Sequence, residues 1–262
     1  MKMEVQIKKT VKAGNSSAVV LPRSWLNKSV RVELVKKSHE EILYDVLEIV
    51  KKHIKLKEII GIYLVGSYAR REESRESDID ILIITDDTDK EMINEGIYNI
   101  LLISKDLLKQ KLEKDLFPIG QMIKEAEPLM NKEYIKDLKI EVTKKNVKWY
   151  LDTTENKLNI IKKLLNKKEK YVDDRVVYTL ILRLRTLYII EKLIEKKAYS
   201  NKQFIKTIKS ISGKDVYEGY LVVKNNLGNK RKISIKEVER LYDRLEKQLK
   251  EVKSLLKFGS SH

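Results

Sequence analysis

Two short stretches carry side chains able to do chemistry. One is Ile62-Tyr63-Leu64-Val65-Gly66-Ser67-Tyr68-Ala69-Arg70, the other Ser77-Asp78-Ile79-Asp80-Ile81-Leu82-Ile83. An apolar run ending at Gly66 lets the backbone approach a ligand closely, because glycine has no side chain in the way. Ser67 adds a hydroxyl. A helix starting over Tyr68–Glu73 would turn its free N–H groups toward the same spot, an anion-binding arrangement. In the second stretch, strand residues two apart share a face and lie roughly 6–7 Å from each other, so Asp78 and Asp80 point the same way. Leu82 and Ile84 continue that face, and Ile79, Ile81 and Ile83 form the other. Burying two adjacent carboxylates on such an apolar strand costs several kcal/mol each unless they are paired. A divalent cation resolves the conflict, and Mg²⁺ prefers hard carboxylate and phosphate oxygens. Two carboxylates around such an ion, opposite a Gly-Ser phosphate cradle, are equipment for phosphoryl or nucleotidyl transfer.

The elements that must position these residues follow from hydrophobic patterning. Ile59–Val65, Ile79–Thr85 and Ile97–Ile103 are near-continuous apolar runs, the pattern of strands buried on both faces. His39–His53 carries a helical stripe at Ile42, Leu43, Val46, Leu47, Ile49 and Val50. Thr88–Glu95 reads as a helix, and further helices are expected near 105–113 and 118–126, with Pro118 in a first helical turn. From about residue 140 helical stripes take over, at 142–167, 172–197, 201–226 (broken near Gly213) and 235–257, which should pack as an up-and-down bundle. The first 36 residues alternate instead, at Val5, Ile7, Val11, Ala18–Leu21, Val30, Val32 and Leu34. With Gly14-Asn15 as a turn and Pro22 as a stop, they read as short strands around one brief helix at 22–27. The expected fold is therefore α+β. It has a small β module (1–36), an α/β domain with a mixed sheet (37–140) and an all-α bundle (141–258). The final Gly259-Ser260-Ser261-His262 reads as a tag remnant.

Composition narrows the field. In 262 residues there is no cysteine, which removes disulfides, thiolate metal sites and Cys nucleophiles; three histidines, one of them the last residue, argue against a histidine-rich metal cage as well. No apolar run is long enough for a membrane span, and the start has no signal-peptide character, so a cytoplasmic protein is expected. Lys and Arg exceed Asp and Glu by 55 to 39, a net charge of +16 that suits a polyanionic partner. Lys- and Glu-rich surfaces also serve heat stability, so charge alone does not name a function.

The pairing of G-S-Y-A-R with S-D-I-D-I-L-I resembles the nucleotidyltransferase superfamily of DNA polymerase beta, closest to the minimal and kanamycin-type branches. The likeness covers about residues 40–140. It implies that Gly66 and Ser67 hold the triphosphate of an NTP such as ATP, that Asp78 and Asp80 ligate Mg²⁺, and that Arg70 holds the turn or the phosphates. A salt bridge from Arg70 to Glu72, Glu73 or Asp78 is the plainer alternative. Family members carry a third catalytic carboxylate on the next strand. Here Tyr98-Asn99-Ile100-Leu101 puts Asn99 in that place. An amide can ligate a metal through oxygen but cannot take a proton. Either a neighbour such as Glu95 or Asp106 supplies the carboxylate, or the domain binds nucleotide and turns over poorly, or it is a pseudoenzyme.

The flanks carry likenesses of their own. Lys12–Leu26, with G-N-S-S-A-V-V-L-P, resembles the AbrB/MazE swapped-hairpin modules, which implies a homodimer and DNA contacts from residues such as Lys8, Lys9, Lys12, Arg23, Lys28 and Arg31. The C-terminal helices resemble the bundles of kanamycin nucleotidyltransferase and of HEPN partners, though the bundle lacks the HEPN Arg-His pair, and Arg175, Arg183 and Arg185 remain open to an acceptor or to solvent. The combined expectation is a Mg²⁺-dependent nucleotidyltransferase acting on a hydroxyl acceptor: small molecule, protein or RNA. The alternative is an antitoxin-like DNA-binding regulator with a weakened transferase domain.

Overall fold

Apolar spacing decides which segments become strands and which helices in the computed structural model, which describes residues 6, 8, 10–33, 36–74, 77–166, 170–227 and 233–258. The chain forms two compact units, 1–45 and 46–262. Val5, Ile7, Lys9, Leu34 and the expected remnant at 259–262 lie outside the described residues.

In the first unit, β1 (Val11–Ala13) and β2 (Ser16–Ala18) form an antiparallel hairpin around the Gly14-Asn15 turn, as their spacing implies. The helix expected at 22–27 is only a 3₁₀ turn at Arg23–Trp25. Val30 and Val32 are in no strand, because a strand needs a neighbour to bond and the described part of one chain provides none there. Helix α1 (His39–Val50) starts at a capping box, with the Glu41 amide donating to Ser38 Oγ (3.2 Å) and the Ser38 amide to Glu41 Oε2 (2.9 Å).

In the second unit the chain runs through β3 (Ile59–Val65), the single turn α2 (Gly66–Ala69), β4 (Ile79–Thr85), β5 (Lys90–Glu95) and β6 (Tyr98–Ser104). It continues through α3 (Lys105–Lys114), α4 (Ile119–Glu125), β7 (Glu127–Met130) and α5 (Lys132–Lys136). The five strands form one mixed sheet in the order β5-β6-β4-β3-β7, with β4 and β6 parallel and the other pairs antiparallel. Two of the three strands keep the ends their apolar runs predict, and the third is shifted by one residue.

Residues 88–95 are a correction, since 90–95 form strand β5 and not a helix. Two residues, Gly96 and Ile97, join β5 to β6, and Gly96 takes φ +61°, which such a tight hairpin requires and glycine adopts freely. Ile93 then faces Ile100 and is buried, while Met92 faces out. Six residues are too few to separate a period of two from one of 3.6.

The helices that follow are α6 (Lys144–Leu165), α7 (Asp174–Ile194), α8 (Asn201–Ser212), α9 (Lys214–Lys224) and α10 (Ile235–Phe258), close to the expected bounds and divided at Gly213. An unanticipated two-residue ladder, β8 (Tyr171–Val172) with β9 (Ile233–Ser234), joins the start of α7 to the start of α10. Side-chain caps from Thr143, Asp173 and Ser200 satisfy amides at three helix starts. The bundle core interleaves Leu180, Leu184 and Leu187 of α7 with Leu241, Leu245 and Val252 of α10. Each such buried side chain is worth roughly 1.5–3 kcal/mol of hydrophobic transfer. A second core lies on one sheet face, where Tyr63, Val65, Leu82 and Ile84 pack against Leu108 of α3 and Ile119 and Ile123 of α4.

Candidate active site

The strand register assembles the site. Val65 stands opposite Asp80, and Asp80 opposite Asn99. Residues opposite one another project to the same face, so Asp80 and Asn99 share the face that carries Val65 and Leu82. Asp78 immediately precedes β4. The Asn99 amide Nδ2 lies 3.3 Å from Asp78 Oδ2 and 3.3 Å from Asp80 Oδ1, so one amide spans both carboxylates. Burial pushes the Asp80 carboxyl above its ordinary range; the Asn99 amide opposes this, and the charges of Asp78 and Glu125 add to it.

Gly66 follows β3 beside this group at φ +71°. A β-carbon there would overlap Asp80 Oδ2, so the position demands glycine twice, for its backbone and for the carboxylate's space. Gly66→Ala is expected to destabilise the fold by roughly 1–3 kcal/mol, from left-handed strain and overpacking. Denaturant unfolding measures this, and a variant as stable as wild type would show that the turn relaxes without cost.

A residue that sequence patterning did not single out completes the turn. Glu125, the last residue of α4, accepts the Gly66 amide on Oε1 (2.8 Å), and its Oε2 accepts from Arg70 Nη1 (2.6 Å) and Gln121 Nε2 (3.1 Å). Arg70 also donates through Nε to Glu72 Oε2 (3.1 Å). Arg70 therefore holds the turn through two carboxylates, including the Glu72 pairing that was the plainer expectation. The three side chains are only 12%, 8% and 10% exposed for Arg70, Glu72 and Glu125. The expected helix over Tyr68–Glu73 is shorter, a single turn ending at Ala69, with Arg71 at φ +55°. The only signal for Glu125 in the sequence is its spacing of four from Gln121 on a helix, which by itself points nowhere.

Glu72 ties this cluster to the bundle. It accepts the Ser200 hydroxyl (2.7 Å) and the amides of Asn201 (3.0 Å) and Lys202 (3.2 Å) at the start of α8. Burial raises its carboxyl, but these donors and Arg70 outweigh that and leave it below the ordinary 4.5. A carboxylate depressed in the folded state adds stability above its unfolded value and loses it as pH falls through the folded one. Glu72→Gln should therefore be less stable than wild type at neutral pH, with the gap closing below about pH 4.5. Arg70→Ala, which leaves two buried carboxylates without their cation, should cost about 3 kcal/mol. Chemical unfolding across pH checks both; a gap that is constant with pH would rule out the carboxylate's role.

The carboxylates proposed to substitute for Asn99 are elsewhere. Glu95 pairs with Lys52 (2.6 Å), Asp106 sits in the first turn of α3, and neither lines the cleft that holds Asp78 and Asp80. That cleft, of about 700 Å³, has Ser67, Asp78 and Asp80 on one wall and Arg185, Tyr217 and Lys224 of the bundle on the other. Of the three arginines left open, only Arg185 reaches it. Arg175 pairs with its own cap Asp173, and Arg183 donates to Thr153 Oγ1 (2.9 Å) over the Trp149 ring. Tyr178 and Tyr188 are aromatic packing partners, of Tyr220 and of Tyr199 and Phe204, while Tyr171 is exposed in β8. In the first unit Lys12, Arg23 and Arg31 are all exposed, and Arg31 pairs with Glu33. Among the described residues no group of three or more His, Cys, Asp or Glu side chains is arranged to hold a metal.

A mixed five-stranded sheet with paired carboxylates opening its central strand and a Gly-Ser turn after the neighbouring one is the arrangement that the resemblance to nucleotidyltransferases implies. Residues 46–146 match the Polymerase beta, Nucleotidyltransferase family. Among solved structures, the chain is similar to a nucleotidyltransferase-like protein from Exiguobacterium sibiricum, with 14% identity, TM-score 0.37, and 82% of this chain and 77% of that one covered. It is also similar to the spectinomycin adenyltransferase from Enterococcus faecialis solved with ATP and spectinomycin, with 14% identity, TM-score 0.42, and 80% and 99% covered. A search of curated proteins found no match. No described helix is long and apolar enough to cross a membrane.

Proposed function

We propose that the chain transfers a nucleoside monophosphate from an NTP, ATP among them, to a hydroxyl acceptor in this cleft, with Mg²⁺ bound and pyrophosphate released. The donor set fits the ion: Asp78 and Asp80 are hard oxygen ligands, the crowded Asp80 carboxyl gains from a cation beside it, and Asn99 can turn its amide to offer Oδ1. When bound, Mg²⁺ would neutralise phosphate charge and orient the reacting group. The remaining work falls to side chains. Ser67 would hold the phosphates, sharing the turn with Glu125, which already occupies the Gly66 amide. Arg70 fixes that turn through Glu72 and Glu125. Asn99 positions both carboxylates but takes no proton. The bundle wall would orient the acceptor.

The observation that supports this reading is that Ser67, Asp78 and Asp80 line one cleft, with the Asn99 amide bonded to both carboxylates. Isothermal titration with Mg-ATP tests it. Binding that disappears in Asp80→Asn is expected, and no affinity for any Mg-NTP would end the reading.

Residues 1–36 would then pair two copies of the chain. Val20, Leu26 and Val32 are 67%, 72% and 70% exposed in a single copy, an apolar surface that a partner hairpin would cover. Lys12 and Arg23 stand exposed there without a carboxylate partner among the described residues and could contact DNA phosphates, which position a protein without reading sequence. Asn99 favours a second reading, a DNA-binding regulator with a weakened transferase domain. Salt-sensitive duplex binding that survives Asp80→Asn and is lost without residues 1–36 would support it.

A further inference from the structure

Charge is unevenly distributed around the cleft. Among the described residues, its acids Glu72, Asp78, Asp80 and Glu125 all come from the sheet side, whereas the bundle wall contributes Arg185 and Lys224 and no carboxylate. On the adjoining face of α8, Lys202, Lys206 and Lys209 are exposed and spaced by four and three residues, so they form one ridge along the helix. None of these five cations has an ion-pair partner among the described residues. Other bundle lysines do: Lys148 with Asp152, Lys192 with Glu195, Lys250 with Glu246. Lys209 Nζ lies 5.0 Å over the ring of Tyr217, which lines the cleft and stacks on Tyr220 at 5.7 Å. The lysine ridge therefore leads into the cleft at an aromatic surface.

From this arrangement we infer that the acceptor is the terminal hydroxyl of a single-stranded nucleic acid. The inference rests on the nucleotidyl-transfer reading above. A polycationic acceptor such as an aminoglycoside would meet Arg185 and Lys224 with no counter-charge on that wall, and like charges repel. A strand instead releases counterions from its phosphates onto the lysines and lays a base against Tyr217, the combination that binds single strands without regard to sequence. Lys202 to Lys209 climbs about 10 Å of helix, a run suited to successive phosphates rather than to one nucleotide. The cleft is the size of a ligand pocket and takes a strand's end, not a duplex. In the reaction the terminal hydroxyl oxygen bonds to the α-phosphorus of the NTP. The bond between that phosphorus and the β-bridging oxygen breaks, pyrophosphate leaves with the electron pair, and the hydroxyl proton passes to water.

The test is transfer from α-labelled ATP with Mg²⁺ by the full chain to three acceptors in parallel: an RNA oligonucleotide, a DNA oligonucleotide and an aminoglycoside. The expected result is that one or both strands gain labelled nucleotide, that a strand blocked at its terminal hydroxyl does not, and that the aminoglycoside stays unlabelled. The relative rates of the RNA and DNA arms identify the strand chemistry. The variant Lys206→Glu/Lys209→Glu, altered only at exposed positions, should raise the KM for the strand at least tenfold, flatten its salt dependence and leave the KM for ATP unchanged. Labelling of the aminoglycoside with both strands inert overturns the inference, as does an unchanged strand KM in the double variant. If Mg-ATP binds in an Asp80-dependent way and no strand is extended, the inference falls and the transferase reading stands. If Mg-ATP does not bind, both fall.

Discussion

Replacing Asn99 with Asp should raise the single-turnover rate of nucleotidyl transfer roughly 10²-fold, since a positioned general base contributes about 10²–10⁴ in rate. The β4–β6 register sets position 99 directly opposite Asp80 and within hydrogen-bond reach of both carboxylates. A carboxylate there could accept the acceptor's proton, which the amide cannot. The same change removes a donor that both aspartates share and adds a third negative charge beside an already elevated carboxyl. Asn99→Asp should therefore lower the metal-free melting temperature, and Mg²⁺ should restore it by binding the folded state. The rate is read by labelled AMP transfer and the stability by thermal unfolding with and without EDTA. A variant no faster than wild type would show that the proton leaves by a route that does not need position 99.

Replacing Asp80 with Asn should have the opposite pair of effects. Transfer should fall about 10³-fold, the scale on which preorganised charge at a reacting phosphate matters, yet the metal-free protein should not lose stability at neutral pH. Burial holds the Asp80 carboxyl above its unfolded value, so ionising it costs the folded state more than the unfolded one. Wild-type stability should then decline as pH rises through that elevated value, a decline Asp80→Asn lacks. Unfolding in EDTA from acid to neutral pH separates the two proteins. A variant that is both inactive and markedly unstable at neutral pH would mean that Asp80 serves the fold before it serves the site.

Much of this protein was legible from local pattern. The two central strands coincide with their apolar runs because a strand buried on both faces leaves no choice of register to its surroundings. The bundle helices were legible for the corresponding reason, since a stripe sustained over twenty residues fixes both the period and the buried face. Gly66, Ser67, Asp78 and Asp80 stood out because each is costly or pointless in an apolar strand unless something binds there. Where the pattern was short, it misled: six residues at 90–95 fit either period, and the free edge of β6 decided for a strand.

The sequence by itself determined which segments are greasy, where the chain must turn, and that two acids interrupt a buried run. It could not determine what those acids face. Arg70 and Glu125 are 55 residues apart, Glu72 and Ser200 are 128 apart, and the cleft opposes the Gly66 turn to the wall of α8 and α9. Which partner a charged side chain takes depends on packing that brings distant segments within a few ångströms, where burial makes each unpaired charge costly. Local composition holds no record of that distance, so the placement of Glu125 at the turn and the cationic far wall exist only in the folded chain.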